Sequence, residues 1–191
     1  MNENRTETTK WLRYLMYVGI AALVNIILVN IPSISRLTGW ISLAISAATV
    51  YLLFMLAGNN PRYKTAAIFC AVALVGGLIP ITIVSLACSV CGIVAQYQEY
   101  HAHSELIEAQ DPKLAGQWNT LFWLEFAVSI IAVLLSSVIV TALVMAAGME
   151  EAAVTTIVVA VVAAVTLLMK LLYLSYLNRT IRLLENEIVV E

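Results

Sequence analysis

The chain has 191 residues, 62% of them hydrophobic and only 12% charged. Its mean hydropathy is +0.93. Soluble domains run near about 45–50% apolar and about 25% charged, so this composition excludes a soluble globular protein and marks an integral membrane protein. Its 10 Lys and Arg against 12 Asp and Glu leave a net charge of −2, with the basic residues scattered singly. That pattern excludes nucleic acid as a partner.

Spans of about 20 residues each consume nearly the whole chain, which leaves a single transmembrane helical domain, 1–191, and no separate soluble one. Cys70, Cys88 and Cys91 all fall in apolar stretches and form no extracellular disulfide framework. The polar start MNENRTETTK precedes an apolar run too long for a signal-peptide core, so it reads as the flank of an uncleaved first span.

The first segment, about 11–31, is apolar apart from Arg13, Asn25 and Asn30, with Trp11 and Tyr14 placed as interfacial aromatics. Pro32 ends it. The second, about 40–57, carries Ser42, Ala44, Ser46 and Ala48 at small-x-x-x-small spacing, which lets helix backbones approach closely. Gly58 then fits a C-terminal cap, and Asn60-Pro61 fits an N-cap followed by proline at the first helical position.

The third segment, about 65–96, is longer than a bilayer needs and contains Gly76-Gly77-Leu78-Ile79-Pro80, which should kink or break a helix. A polar stretch, Tyr97 to Trp118, follows within 97–120. The fourth segment, about 121–147, closes at Gly148, and Glu150 and Glu151 suit the positive end of the next helix. The fifth, about 152–174, runs without Pro or Gly into the tail 175–191, so the helix should continue out of the membrane.

These elements define an all-α integral membrane bundle of five transmembrane helices, with helices three, four and five extending beyond the membrane. With five full spans, Lys and Arg divide equally between the two sides and the positive-inside rule gives no orientation. If segment three enters and leaves on one side, every basic residue except Arg36 falls on that side, with both termini cytoplasmic. A re-entrant break needs protein or water around its free backbone groups, so the five-span form is preferred and four spans plus a re-entrant segment three is the alternative.

Within the polar stretch, Asp111 reads as an N-cap and Pro112 as the first residue of a new helix. Upstream, Tyr100, His103, Leu106 and Ile107 form a stripe; downstream, Leu114, Trp118 and Leu121 form another. Two helices meeting at Asp111 would pack these stripes as an antiparallel hairpin, with 177–187 as a third helix against it. Tyr97, Tyr100, His103, Asp111 and Trp118 are the expected interaction surface of this cap. Tyr97-x-x-Tyr100-x-x-His103-Ser104 is echoed by Tyr173-x-x-Tyr176-x-x-Arg179-Thr180. A duplicated two-helix unit would explain the echo, as would the habit of spans ending in aromatic belts.

Three features could carry chemistry. Glu125 lies inside an apolar run, and an ionisable group there is a functional candidate by default. Lys170 is its natural partner, since in an antiparallel hairpin the two differ by only about 6 Å along the axis. An interfacial pair with a snorkelling lysine is the plainer reading. Cys88-x-x-Cys91 could be a redox couple, but no basic residue adjoins it and cysteine is also an ordinary packing residue. His101 with Glu105, and Glu99 with His103, have half-site spacing for a metal, yet nothing completes four ligands, so a solvated helix is expected and neither metal nor cofactor.

The segments YQEYHAHSELI, DPKL and QWNTLFW resemble small multi-span proteins of unassigned function in Gram-positive and gut bacteria, in which a Tyr-rich span end with His-Ser precedes an Asp-Pro turn and a Trp-led span. The resemblance covers a short middle part of the chain. It implies a protein of the bacterial cytoplasmic membrane and supplies no activity or site. With no catalytic signature present, the expected function is that of a non-catalytic accessory, assembly or interaction component, with the lipid bilayer and other membrane proteins as partners. The alternatives are a small transporter or channel subunit using Glu125, and a membrane thiol oxidoreductase using Cys88 and Cys91.

Overall fold

The computed structural model describes residues 2–29, 35–147 and 151–190. Six helices account for almost all of them: α1 (Asn2–Leu28), α2 (Ser35–Leu56), α3 (Pro61–Gly76), α4 (Thr82–Ile107), α5 (Pro112–Ala147) and α6 (Glu151–Val190). The Pro32 stop and the turn at Gly148 to Glu150 lie outside the described residues. Among the described residues, three stretches are long and apolar enough to cross a membrane, Arg5–Leu28, Arg36–Leu56 and Val154–Asn186.

Two turns follow directly from local sequence chemistry. Asn60 is extended, its side chain accepts a hydrogen bond from the Arg62 backbone N–H at 2.8 Å, and Pro61 starts α3 without an orphaned donor. Asp111 repeats the device, accepting from the Leu114 N–H at 2.9 Å just before Pro112.

The third apolar segment is two helices rather than one. α3 ends at Gly76 and α4 begins at Thr82, and the two pack against each other as an antiparallel hairpin. Tyr63 near the start of α3 meets His103 near the end of α4, while Gly76 faces Val84 and Cys88 beside the reversal. Three N–H groups around the reversal bond locally, Gly77 to Ala73 O, Leu78 to Val75 O and Ile79 to Gly76 O, and Pro80 has none to satisfy. The five-span expectation took the Gly-Gly…Pro element for a kink; self-satisfied turn bonds make a full reversal feasible. Gly76 enforces the packing, because a Cβ there would lie 2.2 Å from Cys88 Sγ.

The helices form a closed ring in chain order. Each packs on the next, and α6 returns to α1. Gly19 permits that closure, since a Cβ at this position would come within 2.8 Å of Leu174 Cδ2. The tyrosine echo would make segments two and three match segments four and five, and the helices differ there: segment three is a hairpin, whereas segment five runs unbroken through α6.

The core gathers at one end of the ring. Leu12, Leu53, Leu56, Tyr63, Tyr100, Ile107, Leu114, Trp118 and Leu177 are buried there, where α4, α5 and the tail of α6 extend past the apolar slab. Trp118 donates its indole N–H to Thr180 at 3.1 Å, and Ser104 donates to the Ala115 carbonyl at 3.0 Å. The helices on either side of Asp111 and the tail of α6 thus form a three-helix cap. At the opposite end, residues such as Trp40, Val75, Leu78 and Ile83 point outward, as lipid-facing side chains would.

Candidate functional site

The candidate site lies where the cap meets the ring. Gln96, Glu99, Tyr100 and His103 recur at three- and four-residue spacing on α4, so one inward stripe carries all four. α5 contributes Glu125, α6 contributes Lys170 and Tyr173, and α3 contributes Tyr63.

Two hydrogen-bonded groups result. In the first, Tyr173 donates its hydroxyl to Glu99 Oε1 at 2.6 Å, and His103 Nε2 stands 3.6 Å from the same oxygen. The other imidazole nitrogen, Nδ1, pairs with the Tyr63 hydroxyl at 2.8 Å. His103 is fully buried, and its Nε2 makes no hydrogen bond. In the second group, Tyr100 donates to Glu125 Oε2 at 2.5 Å, Gln96 donates to the Tyr100 hydroxyl at 3.3 Å, and Lys170 Nζ is 3.5 Å from Glu125 Oε1. The Tyr100 and Tyr173 rings join the groups by stacking, with centroids 5.6 Å apart.

Between these groups lies a cavity of about 320 Å³. All six helices line it: Leu15, Val18 and Gly19 from α1, Ile45 and Thr49 from α2, Cys70 from α3, Gln96 and Glu99 from α4, Glu125 from α5, and Lys170 and Leu174 from α6. Its polar wall holds two carboxylates and one ammonium, and the rest is mostly hydrocarbon. Such a mixture suits orientation of a small charged ligand.

The expected pair Glu125 and Lys170 is therefore brought together. The expected interaction surface is not exposed. Tyr100, His103 and Trp118 are each no more than 1% exposed, because the Tyr100–His103 stripe turns inward against Trp118 and Tyr173. Tyr97 is half-buried, tilted against His101 and edge-on to Phe122, and Asp111 serves as the helix cap. Glu99 and His103, expected on a solvated helix, instead form part of the interior. Among the described residues no group of three or more His, Cys, Asp or Glu side chains could hold a metal ion.

Cys88 and Cys91 are free thiols on the α3–α4 face, lining a recess whose other walls are Val, Ile, Ala and Gly, with Cys88 Sγ 3.9 Å from the Val72 carbonyl. They fill space between two helices. Sequence reasoning missed Tyr63, Tyr173 and the inward role of Glu99. The four-residue spacing of Glu99 and His103 on the stripe of Tyr100 was the one signal that could have found them.

A second polar cluster sits on the cap rim. Asn60 and Arg62 hold Glu105, at 2.9 and 2.6 Å, and Arg62 also donates to Gln98 at 3.0 Å. Burial pushes the Glu105 carboxyl up, but the hydrogen bonds from Asn60 and Arg62 and the Arg62 charge outweigh it and leave the group below its ordinary value. This cluster ties the α2–α3 turn to α4.

Fold and site together define an all-helical chain with three helices able to span a membrane and a charged cavity lined by all six helices. No protein family, curated protein or solved structure matches the chain.

Proposed function

We propose that the chain is a non-catalytic, multi-pass protein of the bacterial cytoplasmic membrane that binds a cation in its central cavity, as a small transporter or channel subunit. α1, α2, α5 and α6 are its four full spans, and α3–α4 is a re-entrant hairpin. α3 has 16 residues. At 1.5 Å per residue it is about 24 Å long, short of an apolar core of about 30 Å. The hairpin brings the N-terminal region, the α2–α3 turn, the α4–α5 turn and the C-terminal tail to one end, which holds every Lys and Arg except Arg36 and the cavity's Lys170. The positive-inside rule makes that end cytoplasmic. The bacterial assignment rests on the sequence resemblance alone.

One observation carries the functional reading: Glu99 and Glu125 share a cavity with a single lysine, at the point where all six helices converge. Ionisable groups at such depth are costly unless paired, and Glu99, with only the Tyr173 hydroxyl and the His103 imidazole beside it, has no lysine or arginine of its own, which leaves room for a cationic ligand. An accessory role through a polar docking surface draws no support from Tyr100, His103 and Trp118, which are engaged inside the chain.

The test is potential-driven flux of protons, sodium and methylammonium into vesicles reconstituted with the purified chain. Flux of at least one of them should exceed that of empty vesicles and fall at least about tenfold with Glu125→Gln, the equivalent of about 1.4 kcal/mol. No flux of any probe, or flux indifferent to Glu125, would refute the reading.

A further inference from the structure

A groove of about 700 Å³ runs between α2 and α3 from the end opposite the caps, beginning at Arg36, Gly39 and Trp40. It passes Ser42, Leu43 and Ser46 and reaches Ile45, Thr49 and Cys70. The same three residues also line the central cavity. Groove and cavity therefore adjoin. On the cap side, Tyr63, His103, Trp118 and Leu177 close the interior, each no more than 1% exposed.

The chain itself shows what chemistry fits the cavity. Lys170 Nζ stands 3.5 Å from Glu125 Oε1 and 5.6 Å from the centroid of the Tyr173 ring, an alkylammonium held by a carboxylate and an aromatic face. Glu99, on the same wall, has no ammonium of its own; its neighbours are the Tyr173 hydroxyl and His103 Nε2, which is buried without a hydrogen bond. Beside these polar groups, Leu15, Val18, Ala22 and Leu174 give the cavity apolar walls that suit a short hydrocarbon body. A volume near 320 Å³ is at the small end of ligand pockets, which begin at about 300 Å³.

We infer that the cavity takes a small organic ammonium ion, which reaches Glu99 along the α2–α3 groove from the non-cytoplasmic face. This rests on the cation-site reading above and adds the ligand class and the direction of approach.

Cys70, at the junction of groove and cavity, is a native reporter. In sealed vesicles of known orientation carrying the Cys88→Ala, Cys91→Ala chain, its modification is timed with ethylammonium and ethylsulfonate thiosulfonate reagents applied to either face. The ammonium reagent should react at least about tenfold faster, as focusing by a negative cleft implies, and only from the face that bears Arg36. Butylammonium should slow it, and Glu99→Gln or Glu125→Gln should bring the two rates together. Protection by butylammonium needs no substitution at the site, so it stands even if a carboxylate variant loosens the bundle. Equal rates for both reagents, reaction only from the cap face, or no reaction at Cys70 overturns the inference. Proton or sodium flux that depends on Glu125, found with equal reagent rates, would leave the cation-site reading standing while this one falls.

Discussion

Substituting Gly76 tests the reversal in segment three, because the structure sets both the clash and its cure. A Cβ at position 76 would lie 2.2 Å from Cys88 Sγ, against an ordinary separation of about 3.5–4 Å, so the thiol or the α4 backbone must move by more than an ångström. Overpacking of this kind costs about 1–3 kcal/mol, partly offset by about 0.5–1 kcal/mol from replacing glycine in a helix. Gly76→Ala should therefore destabilise the chain by about 0.5–2 kcal/mol. Cys88→Ala removes the clashing atom and leaves Cys88 Cβ at 3.9 Å, an ordinary contact. The double variant should thus recover most of the loss, a coupling of about 1–2 kcal/mol in a double-mutant cycle. The assay is reversible unfolding in mixed detergent micelles, followed by tryptophan fluorescence. On one continuous helix the two residues would be about 18 Å apart, and their effects would add within about 0.5 kcal/mol. Additivity would refute the hairpin.

Other consequences reach the cap and the rim. Thr180→Val strands the buried Trp118 indole N–H, now 3.1 Å from its acceptor, and should cost about 1–3 kcal/mol by the same unfolding assay, while Trp118→Phe in that background should cost less than in the native chain. The Asn60 and Arg62 side chains hold the Glu105 carboxyl below its ordinary value, so its stabilising contribution is complete above that ordinary value and is lost as pH falls through the folded one. Glu105→Gln should lower stability at pH 7 by less than about 1 kcal/mol, since the side chain is 41% exposed, and should flatten the acid limb of a stability–pH profile. An unchanged acid limb would remove Glu105 from the account.

Much of the frame was legible because it rests on local chemistry. Asn60-Pro61 and Asp111-Pro112 each combine a capping side chain with a proline that needs no hydrogen bond, and both turns fall there. The Glu125–Lys170 pair followed from counting residues either side of a turn. What was not legible depends on partners distant in sequence. Gly-Gly…Pro is compatible with a kink or a reversal, and the choice is made by Gly76 meeting Cys88, a fit that hydropathy does not encode. Glu99 and His103 sit in a polar run that reads as solvated; Tyr63 from α3 and Tyr173 from α6 turn that face inward. The interaction surface expected at Tyr100 and Trp118 failed for the same reason, since those aromatic side chains found their partners within the chain.

The direction of the chain underlies the proposed cation site, its groove and the side assigned to the cap alike, and one measurement tests it most directly. Single cysteines at Thr8, Asn59, Ala109 and Glu191, in a chain free of native cysteines, are labelled from either face of sealed vesicles with an impermeant maleimide. All four should label from the same face. Thr8 and Glu191 labelling from opposite faces would contradict the re-entrant hairpin and the access route built on it.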